Sequence, residues 1–327
     1  MESKTVLVTG IGGNVGQGII RNILDTNFPI KIIGTNISKL SAGNHWVDSF
    51  YIVPYGYAEN YIQEIKKIIE KEKIDLIIPS TDFETYTLSQ NENQLTCKIS
   101  CSGKNATSIY LDKYDTWLHH SKYSIPFSHS SLPSEYSGQF EQNIAKPRQG
   151  RGSKGLVFNI QDTSSLSDKE YLIQNLEQGI EITTAVYRSY LNKEILGLIS
   201  MERSLENGAT TYCRVTEEHD DQIERIAQKM ILHSDLRGSF NIQSIVNKKN
   251  QVIPFEINCR ISGTNSIRSG FGFKDVKYTL EELLWARNPE KINTSNGIAY
   301  RYLHDVIYPN GIDENLKGNR TDNFKEF

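Results

Sequence analysis

The stretch RGSFNIQSIVNKKNQVIPFEINCRISGTNSIRSG, residues 237–270, decides the fold because two strand patterns in it carry a row of polar side chains. The segment NKKN (247–250) is a polar turn between two runs rich in β-branched and apolar residues, which predicts a β-hairpin. The second run alternates, so its apolar and polar residues are expected on opposite sides of the strand. The apolar set is Phe255, Ile257, Cys259 and Ile261, and the polar set is Glu256, Asn258 and Arg260.

The polar face of this hairpin predicts a metal site. If residues 246 and 251 pair across the turn, Gln243 lies opposite Pro254 and diagonal to Glu256, within reach of it and of Asn258. One carboxylate and two amides offer only oxygen ligands, which suits Mg²⁺ better than zinc. Arg260, one pleat further, can hold the anion that is transferred. The alternative is an exposed polar face on which Arg260 merely pairs with Glu256.

A glycine-rich basic loop lies further upstream, in IAKPRQGRGSKGLVF (144–158). A short apolar strand ends at Lys146, three cations then alternate with three glycines, and a strand resumes at LVF. Glycines allow close approach to a triphosphate, and cations neutralise its charge. The loop lacks the order GxxxxGK[ST], so it is no Walker A loop, and a solvated basic hairpin is the alternative interpretation.

The stretch YLIQNLEQGIEITTAVY (171–187) contains a strand, a short linker and a second strand that begins near Glu181. A nucleotide base can bind backbone groups of such a linker while a carboxylate accepts hydrogen bonds from ribose hydroxyls. Taken alone, Glu181 fits equally well as a solvated strand residue.

The chain begins with strand and helix patterns in alternation. VLVTGIGGNVGQGII (6–20) fits TGxxGxxG between a buried strand and a helix, and further strand patterns follow at 31–36 and 74–80. Alternation of this kind predicts a doubly wound parallel sheet over residues 1–100. The second strand ends GTNIS, without the Asp or Glu that holds a ribose diol, and no tyrosine has a lysine four residues later. Close packing of helix on strand is the preferred explanation of the glycines.

Composition limits the function classes. The chain has 327 residues and a formal net charge of −3 with mixed signs, which predicts no nucleic-acid binding. No apolar run approaches the roughly 20 residues of a transmembrane helix, and the first residues lack the pattern of a signal peptide. We therefore expect no membrane contact and a cytoplasmic location. Four cysteines at irregular positions predict no disulfide framework.

Taken in order, these motifs resemble those of ATP-grasp ligases, in the branch of carbamoyl phosphate synthetase and biotin carboxylase. The resemblance covers about residues 5–290. It implies an α/β (α+β) fold: a Rossmann-like lobe at 1–100 without a nucleotide site, a central subdomain at 101–180 with a mobile phosphate loop, and a C-terminal subdomain at 181–327 with the metal site. ATP then binds between the two later subdomains.

The resemblance also implies roles for individual residues. ATP is expected to contact a set comprising Lys113, Lys146, Arg148, Gly152, Ser153, Lys154, Gln174, Asn175, Leu176 and Glu181. The metal ligands are Gln243, Glu256 and Asn258. The catalytic residues are Arg260, Lys146 and Arg203. Gln174 stands where glutamate is common in the family, and Cys259 replaces a proline without removing a ligand.

The implied activity is ATP-dependent joining of a carboxylate to an amine or ammonia through an acyl phosphate, with Mg²⁺ as cofactor. Two ions are expected, and Mn²⁺ is an expected substitute. The partners are a small carboxylate and an amine or ammonia, with a separate ammonia donor and a homodimer left open. Arg268 is a candidate clamp for a substrate carboxylate, and Asp82 and Glu84 for an ammonium group. Two alternatives remain: an NAD(P)-dependent reductase or epimerase, and a non-catalytic ATP-binding regulator.

Overall fold

A computed structural model describes residues 1–150, 155–206, 208–290, 292–302, 304–308 and 325–326. Strands of this part form sheets of five, six, four and two strands. Short 3₁₀-helices cover Ala42–Trp46, Glu92–Gln94 and Pro133–Glu135.

The first sheet is parallel and alternates with helices, as the sequence predicts. Its strands are β1 (Lys4–Val8), β2 (Ile30–Asn36), β3 (Ser49–Ile52), β4 (Leu76–Ile78) and β5 (Lys98–Ile99), and its helices are α1 (Asn14–Asp25), α2 (Tyr61–Glu72) and α3 (Asp82–Gln90). The order β3-β2-β1-β4-β5 is that of a doubly wound sheet. Adjacent residues of β1 point to opposite faces of the sheet. Val8 packs in one buried cluster with Ile19 of α1, and Leu7 packs in another with Ile65 of α2.

The four-stranded sheet brings the predicted phosphate-binding lysine next to the linker strand. Its elements are α4 (Lys104–Leu111), α5 (Lys113–Lys122), β6 (Ser130–Ser131), β7 (Asn143–Pro147), β8 (Val157–Phe158) and β9 (Tyr171–Asn175). The strands are antiparallel in the order β6-β9-β7-β8. Lys146 on β7 pairs with Leu172 on β9.

The six-stranded sheet contains the predicted hairpin at one edge. Its elements and those that follow are β10 (Gly179–Arg188), β11 (Ile195–Glu206), β12 (Ala209–Thr216), α6 (Asp220–Leu232), β13 (Gly238–Asn247), β14 (Val252–Asn258), α7 (Asn265–Gly270), α8 (Asp275–Trp285), β15 (Ile298–Tyr300), β16 (Val306–Ile307) and β17 (Lys325–Glu326). The strand order is β14-β13-β10-β11-β12-β15, and β16 pairs with β17 in a sheet of its own.

Two core clusters join these units. Tyr110 of α4 is buried with Phe240 and Ile257 of the hairpin, and Ile261 is buried with Val8 of the first sheet. The hairpin end is therefore held between the first sheet and the helices that follow it. The mixed α/β fold with a parallel N-terminal sheet is confirmed, whereas the boundaries at residues 100 and 180 stay predictions.

Candidate active site

The hairpin brings the three predicted metal ligands together, in a register that differs from the expected one. Val246 pairs with Val252, and Gln243 lies directly opposite Glu256 rather than opposite Pro254. The amide nitrogen Nε2 of Gln243 lies 3.3 Å from Oε1 of Glu256 and 3.2 Å from Oδ1 of Asn258. The three side chains thus converge more closely than the predicted diagonal arrangement allows.

A turn one residue longer than expected and a β-bulge together explain this correction, since Val246 already pairs with Val252 rather than with residue 251. The register shifts between Gln243 and Ser244, so that Phe255 has no partner opposite it. An extra residue on one strand of a pair bends that strand and redirects its side chains. Alternation predicts that Phe255 lies on the same face as Ile257 and Cys259. In the structure Phe255 is not part of the buried cluster that contains these two residues. Its ring instead lies 5.2 Å from the ammonium nitrogen of Lys146.

Lysines from the four-stranded sheet and the helix before it face Glu256. Burial raises the pKa of Glu256, but the charges of Lys113 and Lys146 and a hydrogen bond from Asn258 leave this pKa below its ordinary value. The pKa of Lys146 is lowered to about 8, mainly by burial and also by the charge of Lys113, with the charge of Glu256 opposing both. A carboxylate and two ammonium groups therefore share one buried region, where they interact strongly.

Arg260 is fixed by a carboxylate from the first sheet. Its Nη2 lies 2.6 Å from Oδ2 of Asp82, and Nδ2 of Asn258 lies 3.5 Å from Oδ1 of Asp82. Asp82 begins α3, immediately beyond the carboxyl end of β4, where parallel sheets place their functional residues. In the part of the chain that the structure describes, Nε of Arg260 has no hydrogen-bond partner. Asp82 is predicted to hold an ammonium group, and in the structure its carboxylate pairs with Arg260 instead.

Arg203 links the predicted ribose and metal residues. Its Nη2 lies 2.6 Å from Oε1 of Glu181 and also donates to Oε1 of Gln243. A guanidinium in this position holds both side chains in place.

These side chains border a cavity of about 490 Å³. Glu256, Asn258 and Arg260 line it from the hairpin, and Gly10 and Gly13 line it from the glycine turn. The turn also has a packing role, since Gly10 has a φ of 58° and a Cβ on Gly16 would lie 2.6 Å from the carbonyl oxygen of Gly10. The glycines therefore permit close packing and leave the turn open towards the cavity.

Two family models match the chain, and they agree with this architecture. One is described as an ATP-grasp domain and matches residues 111–264, and the other as the N-terminal domain of PylC-like proteins and matches residues 6–100. Residues 111–264 are an ATP-grasp domain. The predicted family is confirmed, and the hairpin with Gln243, Glu256 and Asn258 lies inside the matched region.

Solved structures share the fold at low identity. N5-carboxyaminoimidazole synthetase from Staphylococcus aureus, complexed with ADP, is 14% identical, with 92% of this chain and 81% of that chain covered and a TM-score of 0.70. The Aspergillus clavatus synthase with ADP and 5-aminoimidazole ribonucleotide is 16% identical, with coverages of 90% and 81% and a TM-score of 0.67. The biotin carboxylase domain of Hydrogenobacter thermophilus 2-oxoglutarate carboxylase, with MgADP, ADP and bicarbonate, is 14% identical, with coverages of 91% and 74% and a TM-score of 0.68. No curated protein sequence matches the chain.

The predicted adenine linker of the ATP-grasp domain joins β9 to β10. Gln174 is buried, and its Nε2 lies 3.1 Å from the hydroxyl of Ser130. Asn175 contacts Glu177, and the backbone nitrogen of Leu176 donates to Gln142 over 2.9 Å. The Gln174 amide and the backbone nitrogen of Leu176 are therefore both already hydrogen-bonded within the protein.

Arg148 starts the glycine-rich loop of the ATP-grasp domain. Its Nε lies 2.9 Å from Oδ2 of Asp112, and its Nη2 lies 3.1 Å from Oδ1 of Asp115. These ion pairs anchor the start of the loop, and the contact of Arg148 with ATP stays a prediction. The other predicted loop residues, Gly152, Ser153 and Lys154, lie outside the described residues.

Two predicted substrate residues have hydrogen-bond partners within the protein. Arg268 is completely buried, and its Nη2 lies 2.5 Å from Oδ2 of Asp275, so it is corrected from a substrate clamp to a core ion pair. Glu84 borders the cavity but accepts hydrogen bonds from Thr9 and Thr81 at 2.8 and 2.7 Å. These bonds fix its carboxylate beneath the glycine turn, and the binding of an ammonium group by Glu84 stays a prediction.

The helices of the described residues include none with the length and apolar composition of a membrane span.

Proposed function

We propose that the chain is an ATP-dependent ligase that joins a carboxylate to an amine or ammonia through an acyl phosphate. The observation that carries the proposal is the position of Glu256, which faces Lys113 and Lys146 and lies beside Arg260 at a cavity of about 490 Å³. Charges of this kind suit phosphoryl transfer, which depends on positioning and charge neutralisation more than on covalent catalysis.

Residues of the ATP-grasp domain are proposed to hold the nucleotide. Lys113 and Lys146 would bind the phosphates, residues 174–176 the adenine and Glu181 the ribose. The same proposal includes the three predicted units: a Rossmann-like lobe at 1–100, a central subdomain at 101–180 and a C-terminal subdomain with the metal site at 181–327. Support comes from the solved ATP-grasp structures of similar fold, which contain ADP or MgADP.

The donor set fits Mg²⁺. Gln243, Glu256 and Asn258 lie within 3.3 Å of one another, and a half-turn of the two amides would present three oxygen ligands. When bound there, Mg²⁺ would neutralise charge on the transferred phosphate. A second ion and replacement by Mn²⁺ belong to this proposal.

The reaction follows from the roles of the side chains. The substrate carboxylate attacks the terminal phosphorus of ATP, the bond to ADP breaks, and an acyl phosphate forms. An amine or ammonia then attacks the acyl carbon, and phosphate leaves with its electron pair. Arg260, held by Asp82, would bind the acyl phosphate oxygens as charge develops on them. Arg203 would transfer its hydrogen bonds from Glu181 and Gln243 to the phosphates.

The proposed partners are a small carboxylate and an amine or ammonia, in a cytoplasmic setting. A separate ammonia donor and a homodimer are further parts of the proposal. The Staphylococcus synthetase and the biotin carboxylase domain are similar in fold, which supports the ligase class without naming the substrates of this chain.

The decisive experiment is an ADP-release assay with ATP, Mg²⁺ and pooled carboxylates, each pool with and without ammonium or mixed amines. We expect at least one pool to release ADP in a Mg²⁺-dependent manner. Thermal shifts with ATP–Mg²⁺ and with NADH or NADPH provide a second measurement. Stabilisation by NADH or NADPH alone, without ADP release from any pool, would replace the ligase proposal by the reductase alternative.

A further inference from the structure

The cavity has an apolar wall that the proposed phosphoryl chemistry does not use. Tyr55 and Tyr57 stack with ring centroids 5.2 Å apart, and Phe83 lies edge-on to Tyr57 at 5.3 Å. Ile37 also lines the cavity. We call these four residues the aromatic wall. Tyr57 is 63% exposed and Tyr55 42%, so the rings have apolar surface available for contact.

The aromatic wall lies next to the Asp82–Arg260 ion pair, where the reacting group of the substrate is proposed to bind. Phe83 follows Asp82, the residue that binds Arg260, along helix α3. A molecule whose carboxyl or amino group lies at Arg260 would therefore extend its remaining part towards Phe83 and Tyr57. Large rings at the edge of a pocket contribute contact area with little loss of side-chain freedom.

Charge around the wall argues against a substrate that carries a phosphate ester. Among the described lining residues, the cations are Arg203 and Arg260, and the proposed reaction already assigns both to the ATP phosphates and the acyl phosphate, which leaves neither for a phosphate ester on the substrate. A phosphate group generally requires a cation or several N–H donors. In the described part of the cavity the other donors are uncharged: side-chain amides and hydroxyls, such as Asn14, Asn36 and Thr81, and backbone groups at the start of α1 near Gly13.

From this geometry we infer that the organic substrate carries a flat, apolar group without phosphate, of the size of an aromatic side chain, which packs on the aromatic wall. The inference rests on the proposed function only for the position of the reacting group. It separates this chain from the similar fold that contains 5-aminoimidazole ribonucleotide, a phosphate-bearing molecule.

The test measures binding directly, independently of turnover. Full-length protein with Mg²⁺ and a non-hydrolysable ATP analogue is titrated with phenylacetate and L-phenylalanine, and with acetate and L-alanine as matched probes without a ring. Ribose 5-phosphate and bicarbonate complete the set. We expect at least one ring-bearing probe to bind about tenfold more tightly than its partner without a ring, which is the factor expected when a ring becomes buried against others.

Variants assign the binding to the wall. Tyr57→Ala is expected to weaken the ring-bearing probe about three- to tenfold, from the loss of one ring contact. Tyr302→Ala removes a similarly exposed tyrosine that does not line the cavity, and it should leave the affinity unchanged. Equal binding with and without the ring, no binding of either ring-bearing probe, tighter binding of ribose 5-phosphate, or an unaffected Tyr57→Ala protein would each overturn the inference. ADP release with bicarbonate alone would support the ligase and still contradict the substrate class.

Discussion

Replacement of Glu256 by glutamine gives the sharpest test of the metal site. Glutamine has nearly the same size, so the strand pairing of β14 with β13 should survive. Gln243 and Asn258 are neutral, so Glu256 supplies the entire formal charge of the three ligands. The substitution therefore reduces the ligand charge from −1 to zero while two lysines remain nearby.

The expected loss can be estimated from this change. Removal of one well-placed electrostatic group commonly lowers the rate about 10²–10³-fold, or roughly 3–4 kcal/mol in the activation barrier. Half-saturation by Mg²⁺ should also move to a concentration at least about tenfold higher, because a carboxylate binds this ion better than an amide. Lys146 loses the carboxylate that opposes the lowering of its pKa, so it should be less protonated at pH 8.

The assay is ADP release across a Mg²⁺ titration with a substrate found in the pooled screen. Glu194→Gln is the matched control, since it makes the same charge change on an exposed residue between β10 and β11. Circular dichroism and a urea midpoint establish that both variants are folded. A folded Glu256→Gln protein with the wild-type rate and Mg²⁺ dependence would refute the metal assignment and the ligase mechanism built on it.

Three further predictions concern charge and burial. Burial lowers the pKa of Lys146 to about 8, so its ammonium group should lose its proton as the pH rises from 8 to 9. Calorimetry should show that ATP affinity falls about fivefold over this interval in wild type but not in Lys146→Arg, whose guanidinium stays charged. Burial lowers the pKa of His120 to about 4, below an unfolded value near 6.5, so the unfolded chain binds more protons at acid pH. Between pH 7 and 5 wild type should therefore lose about 2 kcal/mol more stability in urea unfolding than His120→Gln, and equal losses would contradict this. Arg268→Ala should cost about 3–5 kcal/mol by leaving Asp275 unpaired in the core, and an undiminished urea midpoint would contradict a stabilising role for this ion pair.

Local patterns predict much of the fold and part of the site. Alternation along β14 identifies Glu256 and Asn258, and the apolar stripe of α2 identifies its buried face. These features depend on neighbours a few residues apart, where strand and helix periodicity is decisive. The register of the hairpin could not be obtained in this way, because a bulge at Phe255 leaves little trace in the sequence.

Contacts between distant segments account for the other differences. Asp82 and Arg260 are 178 residues apart in sequence, and no local pattern indicates that they form an ion pair. Arg268 lies soon after β14, the strand with the predicted metal ligands, and this closeness in sequence suggests that it binds a substrate. Its burial depends on how α7 and α8 pack together, which brings Asp275 against it. A charged residue near a predicted site is equally compatible with a core ion pair, and only the tertiary structure separates the two.

The glycine turn at the start of the chain illustrates how packing and function can share one motif. Its sequence resembles a dinucleotide fingerprint, yet the positive φ of Gly10 and the close approach at Gly16 are sufficient reasons for its glycines. The same small residues leave the carboxyl edge of the first sheet open, and the cavity extends from this edge to Glu256 and Arg260. Asp82 connects the two sides, since it lies at that edge and binds the arginine of the hairpin. The first sheet can therefore contribute to the proposed reaction independently of any nucleotide at its glycine turn, because its carboxyl edge positions Arg260 through Asp82 and, at Phe83, begins the wall proposed for the substrate.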